Sequence, residues 1–533
     1  MKTGHNTTAL GKPSPYRPSI ASAAYLLLAA AASAQIGGPD PTFDTDGGLV
    51  LPNGGVGEYI NAIDHAANGD LLITGSNWDP VNFTPYVGGL PVWRRAADGS
   101  ASASWGTAGL AYVDLPDGRE EGQAMIAQGD GKVMIGGVRW TADTCQLLFV
   151  RLLANGSLDP AFGTGGYALI TGDPLLVPSY AGGTSVEKGV KALHQNSDGS
   201  YTAVGTTAPQ GGQSLTLGFV LRLTSSGSLD SSFGSNGYFF HGSSQNERFR
   251  DAEFFSDGNI LCGGTHGATD NSWVMVTASG SYDNAFGTSG VQLSPTATTL
   301  GITSFVRDAT GNLYALCKDL SFTEKRLVKF DANGAIVSSF GTNGELPVSS
   351  FDEGRVDMDS QQRLVVWGRR SDNLMFAQQL NTAGTELDYA YIDAWPYFPF
   401  DYDFRVRAFD EDGNGNYVFG GLGFIPSVNY DGWSIRLTTT GSNGTNEQSS
   451  PSNVLLYPNP ATDRITLRML ANSSSNVDLS IVDATGRTVH GFQRSATDHA
   501  GTMELDLTGL AAGSYGLILS NGQRAEHMRF VKQ

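Results

Sequence analysis

One short motif recurs along most of this chain and limits what it can fold into. It runs SLDPAFGTGG at Ser157–Gly166, SLDSSFGSNG at Ser228–Gly237, SYDNAFGTSG at Ser281–Gly290 and AIVSSFGTNG at Ala335–Gly344. Weaker copies are DPTFDTDGG from Asp40 and SASWGTAG from Ser102. The aromatic anchors Phe43, Trp105, Phe162, Phe233, Phe286 and Phe340 stand 62, 57, 71, 53 and 54 residues apart; Leu387-Asp388 then puts Tyr391 at a degenerate seventh position 51 residues on. A lone Gly-rich segment would suggest a ligand loop. Repeated at this period it is a scaffold turn, in which glycine supplies backbone geometry and the aromatic ring packs.

A second motif keeps step with the first. AMIAQGDGKVMIGG, ALHQNSDGSYTAVG, AEFFSDGNILCGG and AFDEDGNGNYVFGG each hold two short strands joined by a tight turn of the Asp-Gly or Gly-Asn kind. Three fainter copies bring the number to seven: AIDHAANGDLLITG, FVRDATGNLYALC and VDMDSQQRLVVWG. A third strand, as in LLFVRLLANGSLD, leads into the first motif, and a short fourth strand such as YALI or YFFH follows it. Repeats of four short antiparallel strands predict an all-β, seven-bladed β-propeller; the degenerate copy at Tyr391 leaves six or eight blades open. The series begins on a fourth strand (Gly47–Leu51) and ends on a third (Trp433–Leu437). The orphan strand can therefore complete the last blade and close the ring.

These residues resemble the delta-60 repeat family, with its LDxxFGxxG motif and DGK-type hairpin, over Pro39–Leu437. The resemblance implies a propeller and assigns no chemistry. After the polar linker 441–453, the pattern changes at Val454 to short strands with Gly turns, which predicts a small β-sandwich. The order YPNPA, VDATGRTV, LAAGSYGLIL and a terminal FVK resembles the type IX secretion C-terminal sorting domain of Bacteroidetes over 454–533. That resemblance implies the type IX secretion machinery as partner, outer-membrane passage, and release or attachment at the cell surface.

The other end agrees with export. Lys2, Lys12 and Arg17 precede the apolar run IASAAYLLLAAAASA, whose Ala32-Ser33-Ala34 suits a signal-peptidase cut between Ala34 and Gln35. The expected division is thus a signal peptide at 1–34, a propeller at 35–440, the linker, and the sorting domain, with no transmembrane segment in the mature chain. Three cysteines, Cys145, Cys262 and Cys317, are too few for a disulfide framework and are expected to be buried thiols. The formal charge of −19 argues against nucleic acid or an anionic membrane as partner.

Catalytic motifs are absent: there is no G-x-S-x-G, H-E-x-x-H or Cys-x-x-Cys, and enzymatic activity is not expected. His65 and His194 occupy matching first strands and are expected to pack or hydrogen-bond; Arg151, Arg222, Lys329 and Arg436 recur near third-strand ends, which favours structure over chemistry. DEDGNG, with Asp410, Asp412 and Asn414, matches the opening of a Ca²⁺ loop, yet it also falls on a hairpin turn and lacks the Glu at the twelfth position. Irregular connections gather on the face opposite the regular turns. They carry Trp78, Tyr86, Trp140, Tyr180, Trp395, Tyr397, Phe398 and Tyr402, a set suited to a glycan or protein ligand. The functional expectation is an exported binding or adhesion module. A secreted carbohydrate-active enzyme using the same face and a purely structural surface protein are the alternatives.

Overall fold

The computed structural model describes residues 34–44, 47–51, 57–78, 88–141, 145–170, 189–207, 216–242, 246–267, 270–294, 299–319, 325–348, 353–369, 374–393, 404–425, 429–441, 454–457, 461–469, 477–483, 488–494, 502–511, 513–520 and 525–532. Every regular element among them is a strand. The chain divides into two compact units, the second formed by Gly441–Gln533 together with Tyr391–Pro396.

In the first unit the described strands run as successive antiparallel groups of four, the first two groups sharing one eight-stranded sheet and the last taking a fifth strand. The third group shows the pattern: Gly189–Gln195, Tyr201–Thr207, Leu217–Leu223 and Tyr238–His241 pair in sequence order. Its first hairpin turns where the Asp198 carboxylate accepts the Ser200 amide at 2.9 Å, with Gly199 at φ 83°. Such a sheet must cover both faces, and the neighbouring groups do so. Phe149 and Phe162 of the second group pack with Tyr201 and Phe219 of the third, and Val204 and Val220 of the third pack with Phe249 and Val274 of the fourth.

The recurrent motif is the clamp between neighbours. Asp159 accepts the Ala161 amide with Oδ1 at 3.0 Å and Arg151 Nε with Oδ2 at 2.8 Å. The Arg151 guanidinium lies 4.9 Å from the Phe162 ring centre, and its Nη1 donates to Ser225 O of the next group at 2.6 Å. The Gly163 amide donates to Ser226 O at 2.7 Å. Gly163 has φ 56°, and a Cβ there would sit 2.0 Å from Tyr167 O, so only glycine fits. The same link joins Gly106 to Asn155 O at 2.9 Å and Gly234 to Ser279 O at 2.8 Å. The recurrent arginines are therefore structural; Lys329 differs, lying 4.9 Å from the Tyr314 ring centre.

The last group is completed from the start of the chain. Gly48–Val50 pairs antiparallel with Trp433–Ile435, and Ala34–Pro39, a strand the sequence did not announce, joins the same partner strand. Arg436 repeats the clamp across the closure: it grips Asp40 at 2.8 Å, lies 4.9 Å from the Phe43 ring centre and donates to Ala97 O of the first group. Burial opposes the Asp40 charge, but bonds from Thr42 and Arg436 hold its pKa below the usual carboxylate value. The first strands of successive groups touch, and that of the seventh touches that of the first. The first unit is a β-propeller.

The second unit has a three-stranded sheet (Val454–Tyr457, Arg464–Met469, Thr502–Asp506) and a four-stranded sheet (Val477–Asp483, Thr488–Arg494, Gly513–Ser520, Ala525–Lys532). Ile465, Leu467 and Leu505 of one share a core with Leu479, Ile481, Leu517 and Phe530 of the other, which makes a β-sandwich. The three cysteines are buried and outside any disulfide, and burial pushes the Cys262 thiol well up.

If the clamp carries the ring, Phe162→Ala should cost about 3–5 kcal/mol. Arg436→Met should cost a similar amount, because Asp40 would be left buried without its cation. Urea unfolding checks both, and Asp40→Asn in the Arg436→Met background should recover part of the loss.

Candidate functional site

The first strand of each group lines the axis: Gly57–His65, Arg119–Ala127, Gly189–Gln195, Glu247–Phe254, Thr299–Arg307, Glu353–Met358 and Phe404–Glu411. Six of them break register with the second strand. In five, one residue is skipped by the ladder: Asn61, Gln123, Lys191, Arg250 and Arg407. A β-bulge of this kind turns a side chain out of the alternation that would otherwise bury it. All five line a single cavity of about 430 Å³, a size suited to a small ligand.

The cavity lies toward one end of the axis. Lys318 is the penultimate residue of its second strand and Lys325 opens the third, and the two are paired across the hairpin. Both line the cavity, as does Trp367 near the close of another second strand, so the cavity sits at the end where second connections lie. Arg355 and Arg405 add two more cations, which makes seven basic side chains against two carboxylates, Glu121 and Asp357. In a chain with 33 basic and 52 acidic residues, this is a local reversal of charge.

Hydrogen bonds run from one blade to the next through the bulged residues. Arg407 Nη1 donates to Asn61 Oδ1 at 3.3 Å; Asn61 Nδ2 donates to Gly122 O at 3.0 Å; Gln123 Oε1 accepts the Val190 amide at 2.9 Å. Arg355 reaches Asp251 at 3.0 Å, and Trp367 Nε1 donates to Asp357 at 2.8 Å. Burial pushes Asp251 above its ordinary value, although the Arg355 guanidinium opposes the shift.

Other residues named from sequence have different surroundings. Trp140 is half-buried against the core shared by the second and third groups. The Trp78 side chain, and Tyr86, Tyr180, Trp395, Tyr397, Phe398 and Tyr402, lie outside the described residues. His194 stacks on Phe254 at 4.8 Å, and His65 Nδ1 meets Asp410 Oδ2 at 2.6 Å. Burial opposes a charged His65, but Asp410 and Asp64 carry its pKa above the usual value.

Asp410 is thus turned to His65. Asp412 Oδ1 accepts the Asn414 and Asn416 amides at 2.8 and 2.9 Å, while its Oδ2 accepts Asn416 Nδ2. Among the described residues no group of three or more His, Cys, Asp or Glu side chains could hold a metal.

Residues 455–533 match the family of secretion system C-terminal sorting domains, and residues 128–162 and 196–233 match a β-propeller domain family of unknown function, DUF5122. The chain is a β-propeller protein carrying a sorting tail of the type IX system, and the tail marks it for export, to the cell surface or the medium. No curated protein matches the sequence. Among solved structures, polysaccharide lyase Uly1 is similar at 11% identity and TM-score 0.40, covering 75% of this chain and 92% of its own. The subtype N11 neuraminidase-like protein of A/flat-faced bat/Peru (H18N11) has 11% identity and TM-score 0.32, covering 68% and 96%. A family 32 glycoside hydrolase from Bifidobacterium adolescentis has 10% identity and TM-score 0.26, covering 91% and 77%. Among the described residues no helix is long and apolar enough to cross a membrane.

A buried carboxyl on the first inner strand gives a pH test of this region. Glu58 is 3% exposed, and burial, then the Asp431 charge, push its pKa to about 9. The folded state then binds more protons than the unfolded chain between the ordinary glutamate value and about 9, so stability falls as pH rises through that window. Glu58→Gln should flatten the fall of Tm between pH 6 and 9, as followed by thermal melts.

Proposed function

We propose that this protein is an exported binding module, a seven-bladed propeller that presents its axial cavity to a glycan or protein ligand in the medium or at the cell surface. The observation that supports it most is the cavity. Five bulged positions on five different blades direct polar side chains into one space, at the end where the irregular connections lie. A scaffold with no ligand has no need of that convergence. The loop aromatics Trp78, Tyr86, Tyr180, Trp395, Tyr397, Phe398 and Tyr402 belong to the same reading, as rings that could stack on a sugar face or anchor a protein.

In this reading a signal peptide is cut between Ala34 and Gln35. The cut leaves Gln35–Pro39 to pair at the closure strand. The sorting tail then engages the type IX machinery. Removing residues 454–533 should keep the propeller in the cell, whereas the full chain reaches the surface or medium. Immunoblots of cell and medium fractions read the outcome, and equal export would overturn the role given to the tail.

A glycan and surface-protein binding screen tests the module itself. Trp395→Ala/Tyr397→Ala should lower binding at least about tenfold, the loss of ~1.4 kcal/mol that one stacked ring can supply. Equal binding by both chains counts against the aromatic loops. Glu121 and Asp357, the two carboxylates of the cavity, keep a carbohydrate-active enzyme as the second reading, which degradation of a bound glycan would favour.

A further inference from the structure

The charge of the cavity narrows the ligand. Lys191, Arg250 and Arg407 are delivered by bulges from three blades, Arg355 and Arg405 by two strands near them, and Lys318 and Lys325 stand at its edge. Gathering so many cations about one axis costs stability through mutual repulsion, and a cleft lined by one sign of charge focuses a field that draws in the other. Glu121, Asp357 and the Asp251 that pairs with Arg355 offset only part of it, and all three are engaged locally: Glu121 by Arg119 at 3.4 Å, Asn61 at 3.4 Å and Gln123 at 3.3 Å, Asp357 by Trp367, and Asp251 by Arg355 at 3.0 Å. Arg407 Nε is buried and has no hydrogen-bond acceptor among the described residues. Guanidinium forks suit the paired oxygens of carboxylate, sulfate or phosphate.

Resting on the binding-module reading above, we infer that the axial cavity takes a small oligoanion, an organic ligand with two or more carboxylate, sulfate or phosphate groups. The excess of acidic residues elsewhere makes the field selective by place. Large polyanions meet a surface of their own sign, while a small one that enters the axis meets the cations. The bulges matter for the same reason, because they aim charged side chains at a common point without removing their neighbours Ala124, Ala192 and Ala408 from the core.

Paired probes on one scaffold test this. Sucrose octasulfate against sucrose, inositol hexakisphosphate against myo-inositol, and citrate as the carboxylate arm should be titrated calorimetrically into the full chain at low and high salt. At least one charged probe should bind ten times or more tighter than its uncharged parent, and should weaken steeply with salt. Lys191→Gln/Arg407→Gln should weaken that binding at least tenfold in a chain that still unfolds in one cooperative thermal transition. Lys132→Gln, at an exposed first-hairpin turn, should leave it as it was. The three arms then tell sulfate, phosphate and carboxylate apart.

The inference is overturned if charged and uncharged members bind alike, if no charged probe binds, or if binding survives the double variant. Tight binding of sucrose equal to that of its octasulfate would leave the cavity as a binding site and remove only the anion. Loss of glycan and protein binding in the screen above, with the charged probes still bound, would do the reverse.

Discussion

A four-stranded blade of this chain cannot cover its own two faces, and every other feature follows from the ring that covers them. Phe162, Phe219 and Phe249 are each buried only because a neighbouring blade lies over them. A clamp of arginine, carboxylate, aromatic ring and backbone amide recurs between neighbours, and the contact between the seventh group and the first repeats it with the Asp44 amide in the glycine position. There Arg436, Asp40 and Phe43 come from opposite ends of the propeller sequence. Pairing of Gly48–Val50 with Trp433–Ile435 removes the edge that an open series of blades would present.

Closure also creates the axis, and the inner strands must serve it while still packing outward. Bulges reconcile the two demands. At Lys191-Ala192, the ladder skips the lysine and resumes at an alanine small enough to bury between blades. Gln123-Ala124 and Arg407-Ala408 repeat the arrangement. The residue released toward the axis is free to vary in chemistry from blade to blade, whereas the clamp residues tie one blade to the next. A functional surface is thus carried on the one inner position that packing leaves unconstrained.

The propeller was legible because its motifs repeat, and repetition converts a weak local signal into a strong one. The packing role of Phe162 and the structural setting of His65 and His194 followed from the same logic. The cavity was missed, although its trace is present. The quoted hairpin copies AMIAQ, ALHQN and AFDED begin at the buried alanine, one residue after Gln123, Lys191 and Arg407. A polar residue before a small apolar one, at the same point of several repeats, is the signal. It went unread because simple strand alternation would assign it to a face within the blade. DEDGNG shows the opposite case, a motif with suitable spacing whose Asp410 is taken up by His65 and whose Asp412 closes the turn.

Sequence alone determined the strand repeat, the order of motifs, the shared strand at the closure and the sorting tail, because each is written in local spacing and composition. Only the tertiary structure decided where Lys191, Arg250, Arg355 and Arg407 meet. They are spread over more than two hundred residues, and nothing short of the closed ring brings them to a common axis. Periodicity reports which face of a strand is buried. It does not report what faces the centre of a circle, since that depends on how many blades close it and where each inner strand bulges.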